Sequence, residues 1–166
     1  KRGGRGVAGM GTKEEDFVEH LFVTTTHHNI MFFTSRGKVY RLKGYEIPEA
    51  GRTAKGTAII NLLPLDADEK ITAVIPIRQF SPGKFLFMAT KKGIVKKTEL
   101  MEYDTARKGG LIAISLDEDD ELIGVKFTNG EQHLIIGTRD GMAITFAETD
   151  VRSMGRTARG VIGIRL

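Results

Sequence analysis

The chain has 166 residues, 40% hydrophobic and 28% charged, so it can form one domain with a buried core and is not a disordered tail. Lysine and arginine number 25 against 21 acidic residues, a modest basic excess whose meaning depends on where the cations lie. The absence of cysteine excludes disulfides, thiolate zinc sites and cysteine nucleophiles, and the apolar runs are too short for a membrane span.

The first predicted element is a basic, glycine-rich segment that precedes a strand. Related segments recur at residues 51–56, 106–110 and 155–160. After each of these three, apolar and polar residues alternate strictly, as at Ala58, Ile60 and Leu62. Such alternation is typical of a half-buried strand with one apolar face.

Predicted β-hairpins follow in chain order, each marked by the pattern Thr-x-x-Gly. The pattern occurs at residues 34–37, 90–93 and 138–141, each time after an apolar run and before an alternating one. Gly37 suits the left-handed position of a three-residue hairpin loop, and the same prediction applies to Gly93 and Gly141.

A third recurring marker is an acidic residue before an apolar pair, at Asp16, Glu69 and Asp120. The three markers recur in one order at a spacing of roughly 50 residues, which indicates an internal repeat. About four strands per unit is typical of an all-β, propeller-like array. We predict a first strand at residues 1–12 and repeat units at roughly 13–66, 67–116 and 117–166.

The charges recur with the same period as the strands. The basic clusters are Lys1-Arg2-Arg5, Arg36-Lys38-Arg41-Lys43, Arg52-Lys55, Lys91-Lys92-Lys96-Lys97, Arg107-Lys108 and Arg152-Arg156-Arg159. Stacked repeats would align them into a basic stripe, with the acidic clusters on another edge, and such a stripe suits a polyanion backbone. The alternative is that turn cations only keep edge strands soluble. The candidate contacts are Lys1, Arg2, Gly3, Gly4, Arg5, Gly6, Arg52, Lys55, Lys91, Lys92, Arg107, Lys108, Arg156 and Arg159.

Catalytic and metal-binding patterns are not apparent. The glycines of residues 6–13 are followed by Thr12-Lys13 instead of Lys-Ser/Thr, so they do not form a phosphate-binding P-loop. His27 and His28 are adjacent and would point to opposite faces of a strand, so we predict no metal site and no cofactor. Tyr40, Tyr45 and Tyr103 occupy repeat positions and are expected to pack, as are the phenylalanines Phe32, Phe33, Phe85 and Phe87.

The segment Lys1–Gly6 resembles the Gln-Arg-Arg-Gly-Gly-Lys-Gly box of the DNA gyrase A C-terminal domain. Lys1 stands at an arginine of the box and Arg5 at its lysine, so both changes keep the charge. Residues 16–21, 45–48 and 150–156 are similar to that domain too, and the resemblance covers essentially the whole chain. The paired glycines would let a phosphate approach the backbone N–H groups. A flexible RNA-binding segment is the alternative for residues 1–6.

The resemblance implies a β-pinwheel, of which this chain would form about three four-stranded blades, half of a six-bladed array. It implies duplex DNA binding, bending and wrapping without sequence preference, as an accessory module of an ATP-dependent type II topoisomerase that supports negative supercoiling. Catalysis would lie elsewhere, and the partners would be double-stranded DNA, the rest of gyrase A, and gyrase B. The expected location is the bacterial cytoplasm, in association with the chromosome. A protein-interaction scaffold with a solubilising basic surface is the alternative.

The repeats also make a prediction about assembly. Residues 1–12 and 155–166 are copies of the same strand, so the chain holds three units and one surplus strand. Three blades of a larger array leave two open sheet edges, which favour pairing with a second copy. We predict a homodimer of half-pinwheels; a compact monomer sealed by its surplus strand is the alternative.

Overall fold

The structure, a computed structural model, describes residues 29–44, 63–107 and 109–164. In these ranges the regular secondary structure consists of β-strands and two short 3-10 helices, which confirms the predicted all-β class. The strands are β1 (Asn29–Thr34), β2 (Lys38–Lys43), β3 (Ile71–Ile77), β4 (Phe85–Thr90), β5 (Ile94–Glu99), β6 (Leu111–Ile112), β7 (Leu122–Thr128), β8 (His133–Gly137), β9 (Ala143–Ala147) and β10 (Val161–Ile162). Two single-turn 3-10 helices span Leu100–Tyr103 and Glu148–Asp150.

Eight of these strands form two antiparallel four-stranded sheets with the same internal order. The first sheet has the order β3-β1-β2-β6, and the second has the order β7-β4-β5-β10. In each sheet a hairpin supplies the two central strands, and strands from later in the chain add to its two edges. The hairpin β8-β9 forms a two-stranded sheet within the described residues. Each four-stranded sheet therefore combines strands from two successive repeat units.

The Thr-x-x-Gly turns close all three hairpins in the same way. Gly37 has a φ of +77°, which confirms the predicted left-handed position. Its N–H donates to the Thr34 carbonyl at 3.0 Å, and the Thr34 hydroxyl accepts from the Lys38 N–H at 3.4 Å. The same two bonds recur from Gly93 and Ile94 to Thr90, and from Gly141 and Met142 to Thr138. The threonine side chain thus satisfies a backbone N–H that the turn leaves without a strand partner.

In the two units whose acidic marker the structure describes, this residue contacts the turn of the preceding hairpin. Glu69 is buried, and its carboxylate accepts a hydrogen bond from the Thr34 hydroxyl at 2.6 Å. Asp120, one repeat later, is also buried and accepts from the Lys92 N–H in the β4-β5 turn at 2.9 Å. These two carboxylates therefore stabilise the contact between successive units.

The largest hydrophobic core lies between the first and second sheets. It includes Met31 and Phe33 from the first sheet and Leu86 and Met88 from the second. The Tyr103 ring meets the Phe33 ring edge-on at 6.3 Å between centroids. The predicted packing role is confirmed for Tyr40, Tyr103, Phe32, Phe33 and Phe87, which are all buried; Phe85 is half-buried, and Tyr45 lies outside the described residues.

Candidate nucleic-acid interface

The segment Gly155–Gly160, here called the basic loop, leads directly into β10. Its backbone forms a turn in which the Ala158 N–H donates to the Gly155 carbonyl at 3.1 Å. Ser115 holds the loop from the other side, because its N–H donates to the Ala158 carbonyl at 3.2 Å and its hydroxyl to the Thr157 carbonyl at 2.6 Å. Gly160 has a φ of +104°, and a Cβ there would lie 2.5 Å from a carbonyl of β5. The loop is therefore fixed against β5 and the segment after β6.

Arg159 and Lys92 lie close together at one end of the second sheet. The Arg159 Nε donates to both carboxylate oxygens of Asp117, at 2.7 and 2.8 Å, and the Lys92 Nζ donates to the Glu118 carbonyl at 2.8 Å. Arg159, and to a lesser extent Lys92, lowers the pKa of Asp117. Arg159 is half exposed and has four N–H donors besides the one on Nε, so it can bind a further anion.

Arg156 is the more enclosed arginine of the basic loop. Its guanidinium donates to the Ile112 carbonyl of β6 at 2.6 Å. Its backbone N–H faces the Glu102 carboxylate, with 3.4 Å between nitrogen and oxygen. The Glu102 carboxylate oxygen therefore occupies the position from which a phosphate could accept a hydrogen bond from the Arg156 N–H.

Arg107 lies in the equivalent loop that precedes β6 and is exposed. Its guanidinium donates to the Ala106 carbonyl at 3.1 Å and lies 3.5 Å from the Asp104 carbonyl. Arg41 of β2 donates to the same Asp104 carbonyl at 2.7 Å, and its guanidinium is 5.0 Å from the centroid of the Phe80 ring. Sequence reasoning placed Arg41 in a basic cluster but missed it as a neighbour of Arg107, since 66 residues separate them and only the strand order brings them together.

The remaining predicted contacts divide into one exposed residue and a group that the structure does not describe. Lys91 is exposed in the β4-β5 turn, and its N–H donates to the Glu121 carbonyl at 2.8 Å. The predicted residues outside the described ranges are Lys1, Arg2, Gly3, Gly4, Arg5, Gly6, Arg52, Lys55 and Lys108.

Two lysines of the predicted basic stripe are not on the surface. Lys96 and Lys97 are both buried, because β5 lies inside the second sheet and both ammonium groups contact later segments, Lys96 at Arg156 and Lys97 at Glu148. The Lys97 ammonium lies 4.5 Å from the Phe85 ring centroid and 3.9 Å from the Glu148 carboxylate. The prediction that these lysines contribute to a surface stripe is wrong. The signal was available for Lys96, which occupies the repeat position of the buried Tyr40, six residues after the threonine of its turn.

The predicted segregation of acids from bases is also wrong for the described residues. Arg36 in the β1-β2 turn contacts the carboxylates of Asp66 and Asp68, just as Arg159 contacts Asp117. Acidic segments precede β3 and β7, and these strands pair beside the hairpins that bear the cations. Opposite charges therefore interleave at the turns.

Among the described residues, no helix is long and apolar enough to cross a membrane. In the same part of the chain, no three His, Cys, Asp or Glu side chains are grouped so that they could hold a metal ion.

The sheet order and the basic loops place the chain in the class of β-pinwheel C-terminal domains of type II topoisomerases. The C-terminal domain of DNA topoisomerase IV superposes with a TM-score of 0.72 and 31% identity, over 83% of this chain and 43% of that structure. A DNA gyrase A C-terminal domain superposes with a TM-score of 0.68 and 24% identity, over 84% of this chain and 44% of that structure.

A family model for the DNA gyrase C-terminal domain, beta-propeller, matches residues 1–25, 28–78, 84–129 and 132–166. The DNA gyrase A protein of Halalkalibacterium halodurans is 63% identical over 99% of this chain, and that of Escherichia coli K12 is 48% identical over 100% of it. The chain belongs to the DNA gyrase C-terminal domain family. It spans 20% and 19% of the length of these two relatives.

Proposed function

We propose that the chain binds, bends and wraps duplex DNA without sequence preference, as the accessory module of a gyrase A protein. The main support is that each of the two described loops before an outer strand carries an exposed arginine. Arg107 and Arg159 lie in equivalent loops before β6 and β10, and these strands form the same edge of two successive sheets. A phosphate backbone that follows this edge would meet one arginine after the other.

The proposal assigns no catalysis to this chain. DNA cleavage and ATP hydrolysis would belong to other parts of gyrase A and to gyrase B, which are the proposed partners together with double-stranded DNA. Neither a metal nor a cofactor is needed for phosphate contacts by arginine and lysine. The proposed location is the bacterial cytoplasm, on the chromosome.

Salt dependence is the physical signature of this mode of binding. Each phosphate neutralised by a cation contributes about 0.9 to the slope of log affinity against log salt concentration. The exposed candidates within the described residues are Lys91, Lys92, Arg107 and Arg159. If all four make contact, affinity should fall about 150-fold between 50 and 200 mM salt.

Fluorescence anisotropy with labelled duplexes of two unrelated sequences tests the proposal. We expect the same affinity for both sequences and the same steep salt slope. Binding that does not depend on salt, or no binding at 50 mM salt, would support the protein-interaction scaffold, whose cations only keep the surface soluble. Wrapping is tested separately, by relaxing a closed plasmid with a nicking–closing enzyme in the presence of the chain. Unchanged superhelicity would limit the function to binding.

The N-terminal box is expected to affect wrapping more than folding. Replacing Arg2 and Arg5 together by alanine removes two cations from a glycine-rich segment, so the melting temperature should change little. The salt slope should flatten by about 1.8, since each lost contact removes about 0.9. An unchanged slope would exclude the box from the interface.

As an isolated chain, we propose that the protein forms a homodimer of half-pinwheels. Hairpin β8-β9 leaves Ile135 and Met142 exposed at 73% and 61%, in contrast to the covered hairpins of the two four-stranded sheets. Strands from a second copy could complete this hairpin by the same edge pairing. Light scattering at several concentrations tests it, and a constant mass near 18.3 kDa would establish the monomer.

A further inference from the structure

The side chain of Lys96 crosses the interior from β5 to the basic loop. It is fully buried, and its ammonium donates to the Ala113 carbonyl at 2.5 Å. It also donates to the Arg156 carbonyl and lies 3.4 Å from the Gly155 carbonyl. The three N–H donors of the ammonium thus face three carbonyl oxygens, two of which belong to the basic loop.

This arrangement sets the direction of the loop's peptide groups. In a trans peptide the carbonyl and the following N–H point in opposite directions. With the carbonyls of Gly155 and Arg156 turned towards Lys96, the N–H groups of Arg156 and Thr157 point away from the interior. The Arg156 N–H indeed faces the exposed carboxylate of Glu102, an anion outside the core.

In the first sheet, a tyrosine occupies the repeat position of Lys96. Tyr40 replaces the lysine there, and a Cβ on Gly110 of the equivalent loop would lie 2.5 Å from its ring. That loop is packed against an aromatic surface, whereas the basic loop is hydrogen-bonded to a buried cation. Of the two described loops, only the one that contains Arg156 and Arg159 therefore binds a buried ammonium.

We propose that Lys96 is the positioning residue of the basic loop, and that its ammonium holds the loop in the conformation that turns the Thr157 N–H outward and presents Arg159 to a DNA phosphate. The inference rests on the proposed DNA binding. Lys96 is too deep to contact DNA and acts through the loop.

The charges around Lys96 predict a pH dependence of DNA binding that a purely structural residue would not produce. Burial, and secondarily the Arg156 cation, lowers the pKa of Lys96 to about 7, whereas Glu102 acts in the opposite direction. Tyr103 donates to the Ala113 carbonyl as well, and burial raises its pKa, so it stays neutral across this range. Arg159 and Asp117 form an ion pair at the other end of the loop and offset each other.

A phosphate at the loop adds negative charge above the ammonium and so favours its protonated form. The pKa of Lys96 is then higher in the DNA complex than in the free protein. By linkage, DNA binding takes up protons just above pH 7, and the contribution of Lys96 to affinity is complete below pH 7 and is lost as pH rises through the bound pKa.

The test uses the whole chain and a duplex at low salt. Isothermal titration at pH 8 in two buffers of different ionisation enthalpy gives the number of protons taken up. Lys96→Met keeps the length of the side chain and removes the donors. We expect it to lower affinity about three- to tenfold, less than the direct loss of a charged hydrogen bond because Lys96 acts through the loop, and to abolish the uptake.

Lys97→Met is the matched control, because it removes the neighbouring buried ammonium, which contacts Glu148 instead of the basic loop. It should keep the affinity and the proton uptake of the wild type at a temperature where circular dichroism shows both variants folded. If Lys96→Met does not fold, proton uptake by the wild type alone decides.

Wild-type binding without proton uptake at pH 8 would overturn the proposal, and so would equal losses of affinity in the two variants. If the wild type does not bind duplex at low salt, the proposed function fails first. These results are distinguishable, since the first two are seen only when the wild type binds duplex, whereas the last is the absence of that binding.

Discussion

Replacing Glu148 by glutamine should destabilise the protein more than any substitution in its exposed ion pairs. Glu148 is fully buried, and its carboxylate accepts hydrogen bonds from the Thr128 hydroxyl and from the N–H groups of Gly130 and Gln132, the latter two at 3.1 Å. The Lys97 ammonium lies 3.9 Å away and is buried too. Glutamine has nearly the same shape but leaves this cation without its carboxylate.

The size of the effect follows from what the variant retains. One amide oxygen can still accept from Gly130 and Gln132, and the Thr128 hydroxyl can turn to accept from the new amide nitrogen. The main loss is the partner of a buried charge, which costs about 2–3 kcal/mol when a carbonyl and an aromatic ring still contact the cation. For a protein of this size the melting temperature should fall by about 4–12 °C.

Thermal unfolding followed by circular dichroism measures the change. Asp68→Asn is the control, because it removes a solvent-exposed partner of Arg36 and should shift the melting temperature by less than about 2 °C. The double variant Lys97→Met with Glu148→Gln should recover part of the loss, since it removes the unpaired ammonium. A fall below about 2 °C for Glu148→Gln alone would refute the reasoning that burial decides the strength of these pairs.

Three other predictions concern the loops and the buried lysine. Lys92→Gln with Arg159→Gln should flatten the salt slope of DNA affinity by about 1.8, measured by anisotropy, and an unchanged slope would place both cations outside the interface. Gly110→Ala should lower the free energy of unfolding in urea by more than about 1 kcal/mol, since φ is +95° and the new Cβ would meet an aromatic ring. Gly109→Ala places its Cβ in open space and should be near neutral. Equal effects of the two substitutions would contradict this. Because the pKa of Lys96 is lowered to about 7, the unfolded chain binds one more proton than the folded chain between pH 7 and about 10.4. The free energy of unfolding of the wild type should therefore rise with pH in this window relative to that of Lys96→Met. Parallel pH curves of the two proteins would count against this.

The hairpins could be predicted from the sequence because their signals are local. The Thr-x-x-Gly pattern specifies both the left-handed glycine and the hydroxyl that accepts from the strand after it, as seen at Thr34 and Gly37. Four consecutive residues contain this information, so no distant contact is needed to interpret it.

The partnership of the outer strands could not be predicted in the same way. Strands β6 and β10 are only two residues long, and equivalent strands share one pattern, so nothing in the sequence states which hairpin each of them joins. The depth of Lys96 was missed for a related reason. A charged residue indicates a surface, and the contacts of the Lys96 ammonium with the Ala113 and Arg156 carbonyls, which place it in the interior, are tertiary.

The candidate site was predicted in outline. The family resemblance and the repeated cations identify the loops before β6 and β10, and Arg107 and Arg159 are exposed there. The acidic partners were not predicted, because Asp117 and Arg159 are 42 residues apart and come together where Ser115 binds the basic loop. Such a contact depends on tertiary structure, which periodicity along the chain does not encode.

The sharing of strands between units has a consequence for how the protein can gain or lose repeats. Residues 67–116 supply the central hairpin of the second sheet and both edge strands of the first. Deleting one such unit would therefore damage two sheets, and a break at residue 66 would fall inside the first sheet. In an array of self-contained repeats each unit can unfold alone, whereas here neighbours are coupled through backbone hydrogen bonds, so we expect the described sheets to melt in one concerted transition. Evolution by duplication would have to copy a frame that starts within one sheet and ends within the next.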